Sequence, residues 1–414
     1  MEVKPGYKRT EIGVIPENWD VRRGLEITHL IGKGASPRWQ GFDYANDGML
    51  FVTSENVRDG YLDISNPKFL PLAFHEKLRR TQLGQDDILV NLVGASIGRS
   101  CRITQEIGTA NVNQAVAVFR LRDVRSAPFV EYFFQAPTTI KRILDMQADA
   151  ARPNISFGNL RQFSIPLPPL REQQSIAKAL GDVDELLGVL TRLNAKKRDL
   201  KHAAMQQLLT GQIRLPGFSG EWEVKRLGEV SSVNSDSLSA DTPSHYEFNY
   251  ISLEDVDTGV LRTHSEQVLV SAPSRARRRL KHGDILVSTV RPNLRSHLLF
   301  TRDEPHWICS TGFSVVRCIS GVALPAYVFF HMFGNAVSKQ IDTLLTGSNY
   351  PAINGGDVKA LQIPMPSIEE QIAIAAVLSD MDAELAALEA RLAKTQALKQ
   401  GMMQELLTGR TRLV

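Results

Sequence analysis

The stretch Ile165–Leu180, IPLPPLREQQSIAKAL, returns at Ile363–Leu378 as IPMPSIEEQIAIAAVL. The interval is 198 residues, and it persists without a gap to Leu215 and Leu413. Across those 51 positions 24 residues are identical, so the chain is read as an internal repeat before any other feature is weighed.

Each copy reads as a long helix. Pro168, Pro169 and Pro366 stand where a first turn tolerates them, and no proline follows until the helix is over. Ser367 is placed to cap the second helix, with Glu369 and Glu370 in the turn where negative charge is favoured. Apolar residues recur in steps of four and three at Ile176, Leu180, Val183, Leu187 and Leu190, and again at Ile374, Leu378, Met381, Leu385 and Leu388. That spacing is a coiled-coil seam. It also suits an ordinary bundle core, but each helix outlasts what a small domain needs. The seam weakens at Asn194 and Lys197 and resumes on a shifted face at Leu200, Ala204 and Leu208. Both copies end in Leu-Leu-Thr-Gly, at Leu208–Gly211 and Leu406–Gly409, and glycine just past the last turn is a common helix stop. A helix of about 40 residues is roughly 60 Å long and marginal alone in water, so the two are expected to pack on each other.

The regions ahead of the helices match more faintly, in the same order. NWDVRR at Asn18 answers EWEVKR at Glu221, FVTSENVRDGYL at Phe51 answers YISLEDVDTGVL at Tyr250, and DDILVN at Asp86 answers GDILVS at Gly283. RPNISFGNLRQFSIPLP at Arg152 answers YPAINGGDVKALQIPMP at Tyr350. The expected organisation is a globular domain over residues 1–166, a helical region over 167–212, a second globular domain over 213–364 and a second helical region over 365–414. GDILVS and FSVVR are buried-strand patterns, and DGYLD and GVLRT look like hairpin segments around a glycine. The fold class is α+β, with two mixed α/β globular domains joined by two long helices. RRGLEI at Arg22 faces KRLGEV at Lys225 with glycine and leucine exchanged, which is expected to alter the turn there.

Composition excludes several classes. No apolar run approaches the ~18 residues of a membrane span, and the charged start MEVKPGYKRTEIG lacks a secretory core. Cys101, Cys309 and Cys318 form no Cys-x-x-Cys, which fits a reducing cytoplasm rather than a zinc ribbon. The net charge of +3 permits nucleic acid without demanding it. Catalytic equipment is sparse. LIGKGAS has the wrong spacing for a phosphate loop, no histidine pair forms H-E-x-x-H, and no Asn-Pro-Pro-[Tyr/Phe] of amino-methylation occurs. One nuclease-like Glu223-Val-Lys225 has Asp20-Val-Arg22 as its counterpart, so it reads as a solvated strand.

The globular halves instead carry polar, arginine-bearing loops. STVRPNLRSH offers Arg291, Asn293, Arg295 and His297 just after a strand, and NLVGASIGRS offers Asn91, Ser96 and Arg99 in the matching place. Arginine suits guanine O6 and N7, and asparagine or glutamine suits adenine N6 and N7. One such loop reads plainly as a solvated surface turn, but two at corresponding positions favour contact with DNA. SRARRRLKHGD supplies Arg275 and Arg278 for phosphates, unless it is a solvated helix face. Arg152, Asn349 and Tyr350 lie in the next matching loops, and Arg38, Asn113 and Gln114 are further DNA-binding candidates.

The IPLPPLREQQ and IPMPSIEEQI helix openings, the paired LLTG ends, GDILVS and the IPENWDV segment together resemble the specificity subunits of type I restriction-modification systems, over nearly the whole chain. The resemblance implies two target recognition domains that each read half of a split, asymmetric DNA sequence. It implies an antiparallel coiled coil, with pseudo-twofold symmetry, that spaces them. It implies two modification subunits that supply S-adenosylmethionine and adenine methylation, and restriction subunits that bring ATP and Mg for translocation and cutting. The chain itself is then no enzyme, holds no cofactor and touches no membrane. A stand-alone methyltransferase or nuclease is opposed by the missing motifs, and a bare coiled-coil scaffold by the divergent loops.

Overall fold

The structure is a computed structural model that describes residues 4–146, 154–345 and 351–413. It resolves into two compact units, Met1–Thr191 with Ala390–Val414, and Arg192–Glu389. Each unit therefore holds one globular domain and a portion of both long helices.

In the first unit an antiparallel four-stranded sheet runs in the spatial order Thr28–Lys33, Val116–Leu121, Ile88–Asn91, Ser100–Arg102. A second sheet pairs Met49–Val52 antiparallel with Phe69–Leu70 and parallel with Ala110–Val112. Continuous apolar runs make these strands central: Ile88–Asn91 and Met49–Val52 are buried throughout. The strand Asp20–Arg23 pairs with Ser164–Leu167, so the domain closes where it opened and hands the chain to the helix Leu170–Leu208. The helix Ala127–Gln135 buries Phe129, Val130, Phe133 and Phe134 against Trp19, Phe119 and Phe163.

The second unit repeats the plan. Its four-stranded sheet runs Ser231–Val233, Phe313–Cys318, Ile285–Ser288, Leu298–Leu299. Glu247–Ile251 lies parallel to Trp307–Ser310 in a second sheet, as its counterpart does in the first unit. Glu223–Arg226 pairs with Gln362–Met365 and leads into the helix Ile368–Leu406. Glu223 and Lys225 pair with each other on this exposed strand at 2.8 Å. Within each unit an inward aspartate anchors the central strand. Asp87 is fully buried and receives Arg120 at 2.7 Å, and Asp284 receives Arg317 at 2.7 Å.

The helices run antiparallel within each unit. In the first, Glu172 meets Arg412 and Asp184 meets Lys399, so numbers rise on one helix as they fall on the other. In the second, Lys201 meets Asp382 and Arg214 meets Glu370. The predicted seam is buried or half-buried at all ten positions. Its opening turns nevertheless do more than face the other helix. Ile176 and Leu180 belong to the core of the first domain, and Ile374 and Leu378 to that of the second. The stripe is a domain core where the helix starts.

Two local expectations are corrected. Arg23 N donates to Glu26 and Arg226 N to Glu229, so the exchanged Gly-Leu leaves the same one-turn helix in both domains. Gly24 takes the buried slot because a Cβ there would come within 2.6 Å of Leu160 O. The arginine run after Ser274 is a strand, Ala276–Arg279, and not a helix face. Pairing with Trp307–Ser310 overrides the weak local preference.

Gly211 and Gly409 both end their helices with φ +70°, the left-handed stop expected of them. Trp222 packs at 3.4 Å from where a Cβ of Gly211 would sit, whereas one on Gly409 would overlap the Pro16 ring. Gly211→Ala is expected to cost about 1 kcal/mol from backbone strain alone. Gly409→Ala is expected to cost more, because the buried Pro16 ring and the Trp19 indole already fill the space a Cβ would take. Thermal melts of the two variants check the order.

Candidate nucleic-acid interface

The candidate residues of the first domain gather at one end of its sheets. Lys33 pairs with Ala117 and Asn91 with Val116, so two strands finish where a third begins. Asn113 N donates to Val52 O and Gly34 N to Asn113 O, which adds the ends of Met49–Val52 and Ala110–Val112 to the same edge. The loops leaving this edge carry Arg38, Ser96, Arg99, Asn113 and Gln114. Arg38 and Gln114 are exposed, and Ser96, Arg99 and Asn113 are half-buried.

A polar groove of about 410 Å³ opens beside Ser96 and Arg99, lined also by Arg58, Asn66 and Lys68. The loop after Phe51–Val52 belongs to the repeat match FVTSENVRDGYL with YISLEDVDTGVL. Its Asn56 explains the match. Asn56 Oδ1 accepts from Thr53 N at 2.8 Å, and Asp255 Oδ2 accepts from Ser252 N at 2.7 Å at the same turn of the second domain. The repeat had preserved a turn former, and the groove residues around it diverged.

The second domain builds the same end. Ser288 pairs with Phe313, Thr289 N donates to Gly312 O, and Thr311 N to Arg275 O. This places Arg275 beside the loop carrying Arg291, Asn293 and Arg295. That loop is held in an unusual form. Arg291 and Arg295 have φ of +48° and +55°, flanking the short turn Pro292–Leu294. Left-handed backbone at two non-glycine residues costs roughly 1–3 kcal/mol each and persists only where the surroundings impose it. The surroundings are a bridge between Val290 and Ala352 and a bond from Arg291 N to Pro351 O. In the first domain Val93 is bridged to Asn154 in the same way. The two loop pairs that the sequence offered separately are thus joined in each unit. Arg152, Asn349 and Tyr350 themselves lie outside the described residues.

Three candidates are corrected. Asn91 and His297 are fully buried, so neither faces a ligand. Asn91 Nδ2 donates to Ser54 O at 2.9 Å and Ser96 Oγ at 3.2 Å, which positions the loop. His297 Nδ1 accepts from Ser288 N at 3.1 Å. Burial, with Arg295 nearby, pulls its pKa down to about 4, so the imidazole is neutral and cannot serve as a cation for phosphate. Arg278 is half-buried in its strand and donates to Ser237 Oγ at 3.2 Å, leaving Arg275 as the cation at the loop end.

Residues 16–196 and 219–400 each match the type I restriction modification DNA specificity domain. The chain is 24% identical to the putative type I restriction enzyme MjaX specificity subunit of Methanocaldococcus jannaschii, over 98% of this chain and 97% of that one. It is 21% identical to the EcoKI specificity subunit of Escherichia coli K12, over 87% of this chain and 82% of that one. Among solved structures, the type I restriction-modification S subunit from M. genitalium superposes with a TM-score of 0.58 at 16% identity, over 94% of this chain and 96% of that chain. Among the described residues no helix is long and apolar enough to cross a membrane. With that domain matched twice over most of its length, the chain belongs to the type I restriction-modification DNA specificity family.

Proposed function

We propose that this chain reads a bipartite, asymmetric DNA sequence, one block with the loop end of each unit, and performs no chemistry itself. The supporting observation is the repeated loop end. In both units, cations and amides gather on divergent loops where the strands finish, while the residues kept between copies hold the helices and turns. Arg275 is suited to phosphate, and Arg291, Asn293 and Arg295 to base edges. In the first unit Arg38, Ser96, Arg99 and Gln114 have the corresponding place. The paired helices set the unread gap between the blocks and offer their outer faces to two modification subunits. Those partners bring S-adenosylmethionine and methylate adenine, and restriction subunits bring ATP and Mg.

The test is equilibrium DNA binding by this chain assembled with its modification subunits. Arg275→Ala is expected to weaken binding to all sequences alike and to lower the salt slope by about one. Asn293→Ala is expected to relax one base position, at about 1–3 kcal/mol of discrimination. Wild-type affinity, salt slope and sequence preference in both variants would refute the assignment of this face.

A further inference from the structure

Trp39 is 87% exposed, the extreme among the large apolar side chains of the described residues. It does not sit on a loose loop. Gln40 N and Phe42 N both donate to Pro37 O, at 2.9 and 3.0 Å, and Gly41 N donates to Arg38 O at 3.1 Å. Lys77 Nζ donates to Gln40 O at 3.0 Å and lies 5.6 Å from the centre of the Phe42 ring. Phe42 in turn packs edge-on against buried Phe74 at 5.4 Å. The turn is built, and what it presents is an indole beside Arg38, which has no ion pair among the described residues.

A single exposed apolar side chain needs no partner in itself, but an indole fixed on a built turn beside a cation offers a large, rigid, amphipathic ring for contact. Three observations choose the occupant. The turn leaves the strand Thr28–Lys33 at the edge that gathers Ser96, Arg99 and Gln114. Its immediate neighbours Arg38 and Lys77 are cations. The matching loop of the second domain, Asn234–Tyr246, has no tryptophan. A protein that grips both copies alike would find the feature in both, whereas each half of a split DNA sequence meets only one domain.

We infer that Trp39 is a DNA-contacting residue of the first domain, its indole packed against bases of one half-site while Arg38 holds the neighbouring phosphate. Apolar side chains wedged at base steps and aromatic rings stacked on bases are both established modes of nucleic-acid contact. The inference rests on the reading of the loop ends given above and extends it to one residue.

Trp39→Ala and Trp39→Phe are to be compared in the complex with the modification subunits, on duplexes with and without the mapped target. Trp39→Ala is expected to bind the target roughly 10- to 100-fold more weakly, with assembly unchanged, and Trp39→Phe to recover most of that loss. Trp19 and Trp307 are buried and Trp222 is half-buried, so DNA should quench the emission of the wild type and quench Trp39→Phe far less. Unchanged DNA affinity in Trp39→Ala overturns the inference, and if assembly is weakened at the same time the indole docks a protein subunit instead. Asn293→Ala separates the two levels. If it alters binding while Trp39→Ala does not, the loop-end reading stands and this inference falls. If neither alters binding, both fall.

Discussion

Replacing Arg412 with alanine is expected to destabilise the first unit by about 3–5 kcal/mol, the loss typical when a buried ion pair is deprived of one partner. Glu172 is only 2% exposed. Its carboxylate accepts from Arg412 Nε at 2.5 Å and Nη2 at 2.8 Å, and from Trp19 Nε1 at 3.0 Å. Without the guanidinium a buried charge is left with Trp19 Nε1 as its side-chain donor among the described residues. For a unit of this size the unfolding temperature should fall by about 10 °C in calorimetry. Glu172→Gln should cost less, since it buries no charge and one amide oxygen can still accept from Arg412 Nη2 and Trp19 Nε1. Arg214→Ala should act in the same way on the second unit. There Glu370 accepts from Arg214 at 2.5 and 2.6 Å and from Trp222 Nε1 at 3.1 Å. A loss below about 1 kcal/mol for Arg412→Ala would mean that Glu172 reaches water and that the pair is no clamp.

Removing seven residues from each helix, Leu187–Leu193 and Ala390–Gln396, is expected to change the gap in the recognised DNA. These segments lie between the Asp184–Lys399 pair and the Arg198–Glu389 pair, so the antiparallel register on either side is kept. Seven residues of helix are about 10 Å, the length of about three base pairs. If the helices set the spacing, methylated sites in cells carrying the variant should show a shorter gap, or modification should fail because the blocks no longer face the same side of the duplex. An unchanged gap with full modification would show that the helices do not set the spacing.

Much of this was legible from the repeat, though not all in the way expected. Glu172 and Glu370, Asp184 and Asp382, Lys201 and Lys399, and Arg214 and Arg412 are identities of the repeat, 198 residues apart. In each unit an acid from one copy meets a base from the other, so residues that looked like a repeated pattern are crosswise ion pairs. Leu-Leu-Thr-Gly proves to be the approach to that clamp, since the arginine follows three residues after the glycine. Burial was harder to read. Asn91 and His297 flank polar loops and look exposed, but Asn91 turns inward onto Ser54 O and Ser96 Oγ, and His297 onto the backbone N–H of Ser288. The run Arg277–Arg279 became a strand because the edge of a sheet was available to it, a tertiary effect that no local pattern announces. Trp39 carries no such signal, because the matching loop of the second copy, Asn234–Tyr246, has no tryptophan, and comparison of copies passes over what only one of them has.

The two units are expected to read two separate blocks of DNA. The direct measurement is mapping of methylated sites in cells carrying this chain and its partners, as wild type and with Arg291, Asn293 and Arg295 replaced together. The expected result is two specified blocks around an unspecified gap, with the variant altering or relaxing one block and leaving the other block and the gap intact. A single uninterrupted specified sequence, or a variant that changes both blocks together, would contradict it.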